Sequence, residues 1–443
     1  MIKIYDSFLQ TIQPLAPNKE KINMYLCGPT VYNYIHVGNV RGILVFDVLH
    51  RLLIHQKYKI NYVHNITDID DKIIKKAAEL KIAEQEVATK YTIAYVKDLE
   101  KLNIILPTKL PKVSDYIPKI IEFINSLISK NYAYITNGDV YFKVSKLKDY
   151  GALAHKNIED LILNFRVSSL ANKENALDFA LWKSTTVGIN WNSPWGKGRP
   201  GWHTECACFI EKIFNGQTID LHGGGIDLKF PHHENERAQF MAINNKEMAN
   251  IWWHNGHVNI ANTKMSKSLN NFILVKEFCQ QYHSNVLRYL ILNRDHQQPI
   301  NFNKETIENG IASVKKYENV LKQCTYQIFI NNIIVEYHHH VNYYHQVIKN
   351  LSNNIDTTNT ITLLENMIKK LNEAIIKKTF SKEFQEIFYT FTFTLNILGF
   401  DFKFGDYSKE VKSKIKMWEQ LKQQKNYEEA DKIRQELKDL NII

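Results

Sequence analysis

The stretch from Leu221 to Gln239, LHGGGIDLKFPHHENERAQ, concentrates side chains that could do chemistry. Gly223 to Gly225 leave a segment without side chains, which a bulky ligand could approach closely. Asp227 follows as an acceptor of the kind that holds the paired hydroxyls of a ribose. Pro231 reads as the first residue of a helix, a place where its missing N–H costs nothing. On that helix His232 and Glu236 stand at i and i+4, on one face, the spacing of two metal ligands. The same residues would also suit a glycine loop followed by a solvated polar helix start, and these residues alone leave both readings open.

Two further motifs suit phosphate chemistry. His36-Val37-Gly38-Asn39 opens a helical pattern, where Gly38 lets backbone N–H groups face a phosphate and His36 can donate to one of its oxygens. Lys264 and Lys267 in KMSKS lie beside small serines and can bring mobile positive charge to a departing pyrophosphate. Taken alone, KMSKS is also what an exposed basic loop looks like.

The elements that must position these groups follow from periodicity. INMYL, residues 22–26, is a short apolar run ending at Cys27-Gly28-Pro29, a buried strand entering a turn. Helical spacing begins near Val40, KINYVHNI is a second strand, and TDIDDKIIKKAAEL opens a second helix. Strand, helix, strand, helix predicts a parallel α/β sheet, doubly wound, with ligands beyond the carboxyl ends of its strands, where Cys27 and Thr67 fall. Residues 116–200 read as a helix and strand-like pieces inserted into that domain. Another helix begins near Trp202, and beyond about residue 300 the pattern is wholly helical. The run His338-His339-His340 invites a metal reading, but its Asn-rich surroundings predict a solvated linker.

Composition narrows the class. Hydrophobic residues make up 44% and charged residues 23%, as in ordinary globular proteins, and no apolar run reaches membrane-spanning length. Five cysteines, odd in number and widely spread, point to a reducing cytoplasm, where a special cysteine serves a metal or chemistry. The net charge of +10 suits a polyanion such as nucleic acid, although a lysine-rich composition alone could produce it.

HVGN and KMSKS, in this order with HGGGID between them, resemble the paired signatures of class I aminoacyl-tRNA synthetases. CGPTVYNYIHVGN, NITDIDDKI, RPGWHTEC, DLHGGGIDLKFPHHENE and NTKMSKSLNN narrow the resemblance to the cysteinyl-tRNA synthetases, and it extends to the final YEEADKIRQEL. Asn39 departs from the signature by replacing its second histidine. It can donate to phosphate but cannot carry charge.

The resemblance implies a Rossmann-type doubly wound parallel sheet with an inserted connective domain, then an all-α bundle and a small C-terminal anticodon-side unit. The implied division is 1–115 and 201–262 for the catalytic halves, 116–200 for the insertion and 263–305 for the KMSKS loop and stem-contact region. Residues 306–395 form the bundle and 396–443 the anticodon-binding unit. It implies one zinc held by Cys27, Cys206, His232 and Glu236, with Cys208 and His233 as near neighbours outside the set. It implies a cysteine site lined by Thr67 and Trp202, and an ATP site, with magnesium, built from His36, Gly38, Asn39, Gly223, Gly225, Asp227 and Lys267. His36, Lys264 and Lys267 would assist catalysis. The implied partners are ATP, L-cysteine and tRNA(Cys), and the implied enzyme is a cytoplasmic monomer.

The implied reaction activates cysteine as its adenylate and passes it to the terminal adenosine of tRNA. Cysteine and serine differ by one atom, and a shaped pocket separates such isosteres poorly. A zinc ion that takes the substrate sulfur as thiolate would make the distinction. Three rivals remain. A cysteine-adenylating ligase could acylate a small-molecule amine, though the long helical region after Asn303 argues against it. A zinc peptidase built on HHENE lacks the His-Glu-x-x-His order, and a catalytically dead RNA-binding relative would not need an intact KMSKS.

Overall fold

The computed structural model describes residues 1–17, 19–156, 173–260, 263–265, 271–333, 338–403, 408–440 and 442. The chain forms two compact units, one of residues 1–281 and 296–301 and the other of residues 282–295 and 302–443.

In the first unit, after a short hairpin of β1 (Lys3–Asp6) and β2 (Thr11–Pro14), comes β3 (Lys21–Leu26), with helix α1 (Val37–His55) behind it. His36 precedes α1 with extended backbone, and its N–H donates to Asn39 Oδ1 at 3.1 Å, so Asn39 reaches back to tie the helix start. Nearly the whole inward side of α1 is buried and apolar, from Val37 through Leu53. The chain continues with β4 (Lys59–His64), α2 (Asp71–Leu80), capped by the Asp70 carboxylate on Lys72 N–H, and α3 (Glu84–Lys101).

The insertion contributes α4 (Ile117–Ser129) and an antiparallel sheet of β5 (Ala133–Thr136), β6 (Asp139–Phe142), β7 (Phe179–Ser184), β8 (Trp191–Ser193) and β9 (Gly196–Pro200). Helix α5 (Thr204–Ile213) then leads back to β10 (Leu221–Gly225), α6 (Glu234–Asn244) and β11 (Trp252–Asn255). The main sheet has the order β11-β10-β3-β4, and all its pairs are parallel. Leu26 pairs with both Gly223 and His64, so β3 and β4 finish level while β10 runs two residues further, to Gly225. β3 lies between β4 and β10, with crossovers leaving it on either side, the switch point at which such sheets bind ligands. No described helix is long and apolar enough to cross a membrane.

The second unit is helical, with its longest helices at Lys304–Ile330 and Thr357–Lys377. Its last two helices, Lys409–Gln423 and Tyr427–Asp439, share a core of Val411, Ile415, Ile433, Leu437 and Ile442. Of the histidine run, His338 is exposed, as a solvated linker would have it, but His339 and His340 are partly buried. His339 stacks on Tyr344 at 4.4 Å and also touches Phe393, while His340 caps the helix Val341–Ser352 by accepting from Tyr343 N–H. Local tyrosines and, for His339, the distant Phe393 give these two imidazoles a partly packed position.

Candidate active site and metal centre

Beyond the strand ends lies a cleft of about 480 Å³. Its floor is set by close backbone approach: a Cβ on Gly28 would fall 1.5 Å from the Asn65 carbonyl oxygen, and Gly28 N–H donates to Asn65 Oδ1 at 2.8 Å. Cys27, Thr67, Trp202, Cys206 and His232 line one part, and His36, Gly38, Asn39, Gly225, Asp227 and Lys264 are also in its wall.

Four donors converge from four places in the chain: Cys27 after β3, Cys206 on α5, His232 just before α6 and Glu236 on α6. Their ligand atoms all lie within 4.8 Å of one another. The two sulfurs are 3.9 Å apart, Cys206 Sγ is 3.8 Å from His232 Nε2, and Cys27 Sγ is 3.4 Å from Glu236 Oε1. Tetrahedral zinc, with Zn–S about 2.3 Å and Zn–N or Zn–O about 2.0 Å, places ligand atoms roughly 3.3–3.8 Å apart. Three of the separations lie within or just beyond this range, at 3.4, 3.8 and 3.9 Å, while His232 Nε2 and Glu236 Oε1 close to 2.7 Å in a direct ion pair. Two thiols, an imidazole and a carboxylate thus fit zinc in both chemistry and spacing. Cys27, His222, His233 and Glu236 form a second, overlapping group.

Phe230 is extended (φ −142°, ψ 134°) and is the one residue of Lys229–His233 whose backbone is not helical, so helical backbone begins at Pro231, as expected, and passes through a wide turn into α6 at Glu234. His232 thereby reaches Glu236 on the face expected at i−4.

Electrostatics accord with a cation-binding centre. Burial would push Glu236 up, but His232 and His222 hold it well below the usual carboxylate range. Burial likewise opposes charge on His232, yet Glu236 and Cys206 push it up to about 10. Burial raises the Cys27 thiol, and Cys206 beside it raises it further. Against its own burial, Cys206 is lowered by Cys27 and His232, so of the two it gives up its proton first. Burial, assisted by His232, holds His203 to about 3, a neutral ring. Cys208, two residues from Cys206, is sunk in the apolar core with its thiol raised by burial, and His233 shares a hydrogen bond with His254 at 2.8 Å.

Thr67 is buried, and its hydroxyl donates to Glu205 Oε2 at 2.8 Å. What it can offer a ligand is therefore an acceptor lone pair. Trp202 is 42% exposed and stacks on His232 at 4.4 Å, roofing that member of the cluster instead of packing in the core.

A family profile described as tRNA synthetases class I (C) catalytic domain matches residues 12–312. The chain is 42% identical over 447 residues, covering 100% of both chains, to the cysteine–tRNA ligase of Mycoplasma mycoides subsp. mycoides SC. It is 39% identical to that of Staphylococcus carnosus, covering 100% of this chain and 97% of the relative. The chain belongs to the class I cysteinyl-tRNA synthetase family. A structure of Mycobacterium tuberculosis methionyl-tRNA synthetase with methionyl-adenylate matches with a TM-score of 0.63 at 13% identity, over 86% of this chain and 90% of that one, a likeness of fold. Membership makes tRNA, ATP and an amino acid partners of the chain.

Of the residues expected on the nucleotide side, Gly38 sits in the first turn of α1, where a Cβ would press on the His36 ring at 3.0 Å. The glycine triplet is less open than its sequence implies. A Cβ on Gly223 would strike Phe46 at 2.3 Å, so Gly223 serves packing against α1 and does not line the cleft. Gly224 does line it, with His233 behind at 2.7 Å, and a Cβ on Gly225 would meet Asp227 Oδ1 at 2.5 Å. Asp227 pairs with Lys264 Nζ at 3.3 Å, both half exposed. Lys267, with its flanking serines, lies outside the described residues. The surroundings missed from sequence are His203, His222 and Glu205, each within or beside a recognised motif but meeting its partner only through the fold.

Proposed function

We propose that the chain joins L-cysteine to the 3′-terminal adenosine of tRNA(Cys) at the expense of ATP. The observation that carries this reading is the Cys27–Cys206–His232–Glu236 cluster, three members of which line the cleft whose wall also holds His36 and Gly38, with Glu236 buried behind them. Zinc held there would supply a Lewis-acidic position that retains a cysteine sulfur as thiolate and binds a serine hydroxyl weakly.

The chain's own residues do the rest. Thr67 accepts from the substrate ammonium with its second lone pair, its proton going to Glu205 and its first lone pair taking the Asn65 amide at 3.2 Å. Trp202 covers the sulfur end. The cysteine carboxylate attacks the α-phosphorus of magnesium-bound ATP, pyrophosphate departs, and a terminal ribose hydroxyl of tRNA then attacks the adenylate carbonyl and releases AMP. Backbone N–H groups at the start of α1, His36 and the Asn39 amide bind the phosphates. Lys264 and Lys267 meet the growing negative charge, and Asp227 holds the ribose. Catalysis is then positioning and charge stabilisation with no covalent enzyme nucleophile.

In the same reading residues 1–115 and 201–262 make the catalytic domain around the insertion at 116–200. Residues 263–305 carry the KMSKS loop, 306–395 the bundle and 396–443 the anticodon-side unit. The enzyme works as a monomer in the cytoplasm, which accords with five free cysteines. Cysteine-dependent ATP–pyrophosphate exchange together with attachment of labelled cysteine to tRNA tests the function. Exchange without attachment would favour the small-molecule ligase, a reading that full-length relatedness to cysteine–tRNA ligases disfavours.

A further inference from the structure

We infer that His203 is a positioning residue of the metal centre: its ring accepts the Nδ1 proton of His232 and so commits His232 Nε2 to the metal. The inference rests on the metal-centre reading above.

His232 has its Nε2 beside Cys206 Sγ and Glu236 Oε1, and its Nδ1 3.0 Å from His203 Nδ1. An imidazole that gives a metal its Nε2 lone pair carries its one proton on Nδ1. Two ring nitrogens at 3.0 Å share a single hydrogen, so His203 Nδ1 is the acceptor and His203 keeps its own proton on Nε2.

Two restraints on His232 divide the work. Trp202 stacks on it at 4.4 Å and 21°, which fixes the plane of the ring but leaves it free to turn within that plane. The bond to His203 removes the turn. His203 is itself anchored: its carbonyl oxygen accepts from Gln239 Nε2 at 2.7 Å, and Gln239 lies on the helix that carries Glu236. Phe179 meets the His203 ring edge-on at 5.8 Å.

The choice of an imidazole acceptor has an electrostatic consequence. Two thiolates and a carboxylate already place three negative charges on a divalent ion, and a neutral acceptor behind His232 adds none. A carboxylate in that place would raise the donor strength of His232 and weaken the pull on an incoming sulfur.

The test compares His203→Ala, which removes the acceptor, with His203→Gln, whose side-chain oxygen can take the same proton, in the full chain, with folding checked by circular dichroism. Metal retention is read by competition with a chromophoric chelator, and ligand geometry by the absorption of the cobalt-substituted protein. We expect His203→Ala to lose metal affinity roughly 10- to 100-fold and to shift the cobalt spectrum, and His203→Gln to recover most of both. The KM for cysteine should rise more than the KM for ATP. Unchanged affinity and spectrum in folded His203→Ala would overturn the inference, as would folded His203→Gln behaving no better than His203→Ala. Should His203→Ala not fold, parent-like affinity and spectrum in His203→Gln support the inference and an alanine-like loss overturns it. Absence of thiolate–cobalt absorption in the parent protein would overturn the metal-centre reading itself, a separate result.

Discussion

Glu236 and His222 form a fully buried pair, with His222 Nε2 donating to Glu236 Oε2 at 2.6 Å. Since Oε1 faces His232 and Cys27, the two oxygens of one carboxylate have separate tasks, one toward the anchoring strand β10 and one toward the metal ligands. Glu236→Gln would keep the shape but present an amide N–H₂ to one of two imidazoles. Removing one partner from a buried charged pair costs about 3–5 kcal/mol. We expect the metal-stripped Glu236→Gln protein to unfold at clearly lower denaturant than the parent, measured by urea titration, and to retain no stoichiometric zinc.

Asp227 and Lys264 are the contrasting case. Their 3.3 Å pair is half exposed, and such pairs contribute about 0–1 kcal/mol. Asp227→Asn should leave the unfolding midpoint nearly unchanged while raising the KM for ATP in pyrophosphate exchange by about tenfold, the value of one lost charge-assisted bond to a ribose. An unaltered KM would remove Asp227 from the nucleotide site.

The glycines predict an order of severity. At Gly28 an added Cβ would overlap the Asn65 carbonyl oxygen at 1.5 Å, which only a backbone shift of β3 against β4 can relieve. At Gly224 it would meet the His233 ring at 2.7 Å and Leu228 at 3.0 Å, side chains that can yield at about 1–3 kcal/mol. Gly28→Ala should therefore abolish soluble expression or metal binding, whereas Gly224→Ala should fold with reduced cysteine activation. Thermal denaturation and zinc content of the two proteins check this.

Much of this was legible from local pattern. β3, α1, β4 and α2 follow directly from apolar periodicity and capping residues, and the four residues expected to hold a metal do converge in one cluster. What was not legible depends on partners remote in the chain. His203 meets His232 across 29 positions, and nothing in GWHTEC marks it as an acceptor. Gly223 reads like its neighbours until Phe46 is seen against it. What Pro231 does announce is the helix start itself, since helical backbone resumes there after the extended Phe230; the wide turn through which it enters α6 is not marked in the sequence.

One pH effect follows from Asp98, whose carboxyl is pushed up to about 6 by burial, against the pull of Lys101 and Lys276. Its Oδ2 has no hydrogen-bond donor among the described residues. The unfolded chain titrates this group near 4, so between roughly pH 4 and 6 the folded state binds the proton more tightly. Its contribution to stability is therefore full at low pH and is lost as pH rises through about 6. The neutral Asp98→Asn protein should gain on the parent as pH rises from 4.5 to 7, then hold a constant margin. Urea midpoints of both proteins at several pH values measure this, and a margin independent of pH would contradict it.

The central claim is that the four-residue metal centre selects the amino acid that reaches tRNA. Its most direct test is attachment of labelled cysteine and, separately, labelled serine to bacterial tRNA, by the zinc-loaded protein and by the same protein stripped with a chelator. We predict cysteine charging by the loaded protein, no measurable serine charging, and loss of cysteine charging on stripping that returns with added zinc. Cysteine charging that survives complete zinc removal with its preference over serine intact would contradict the account.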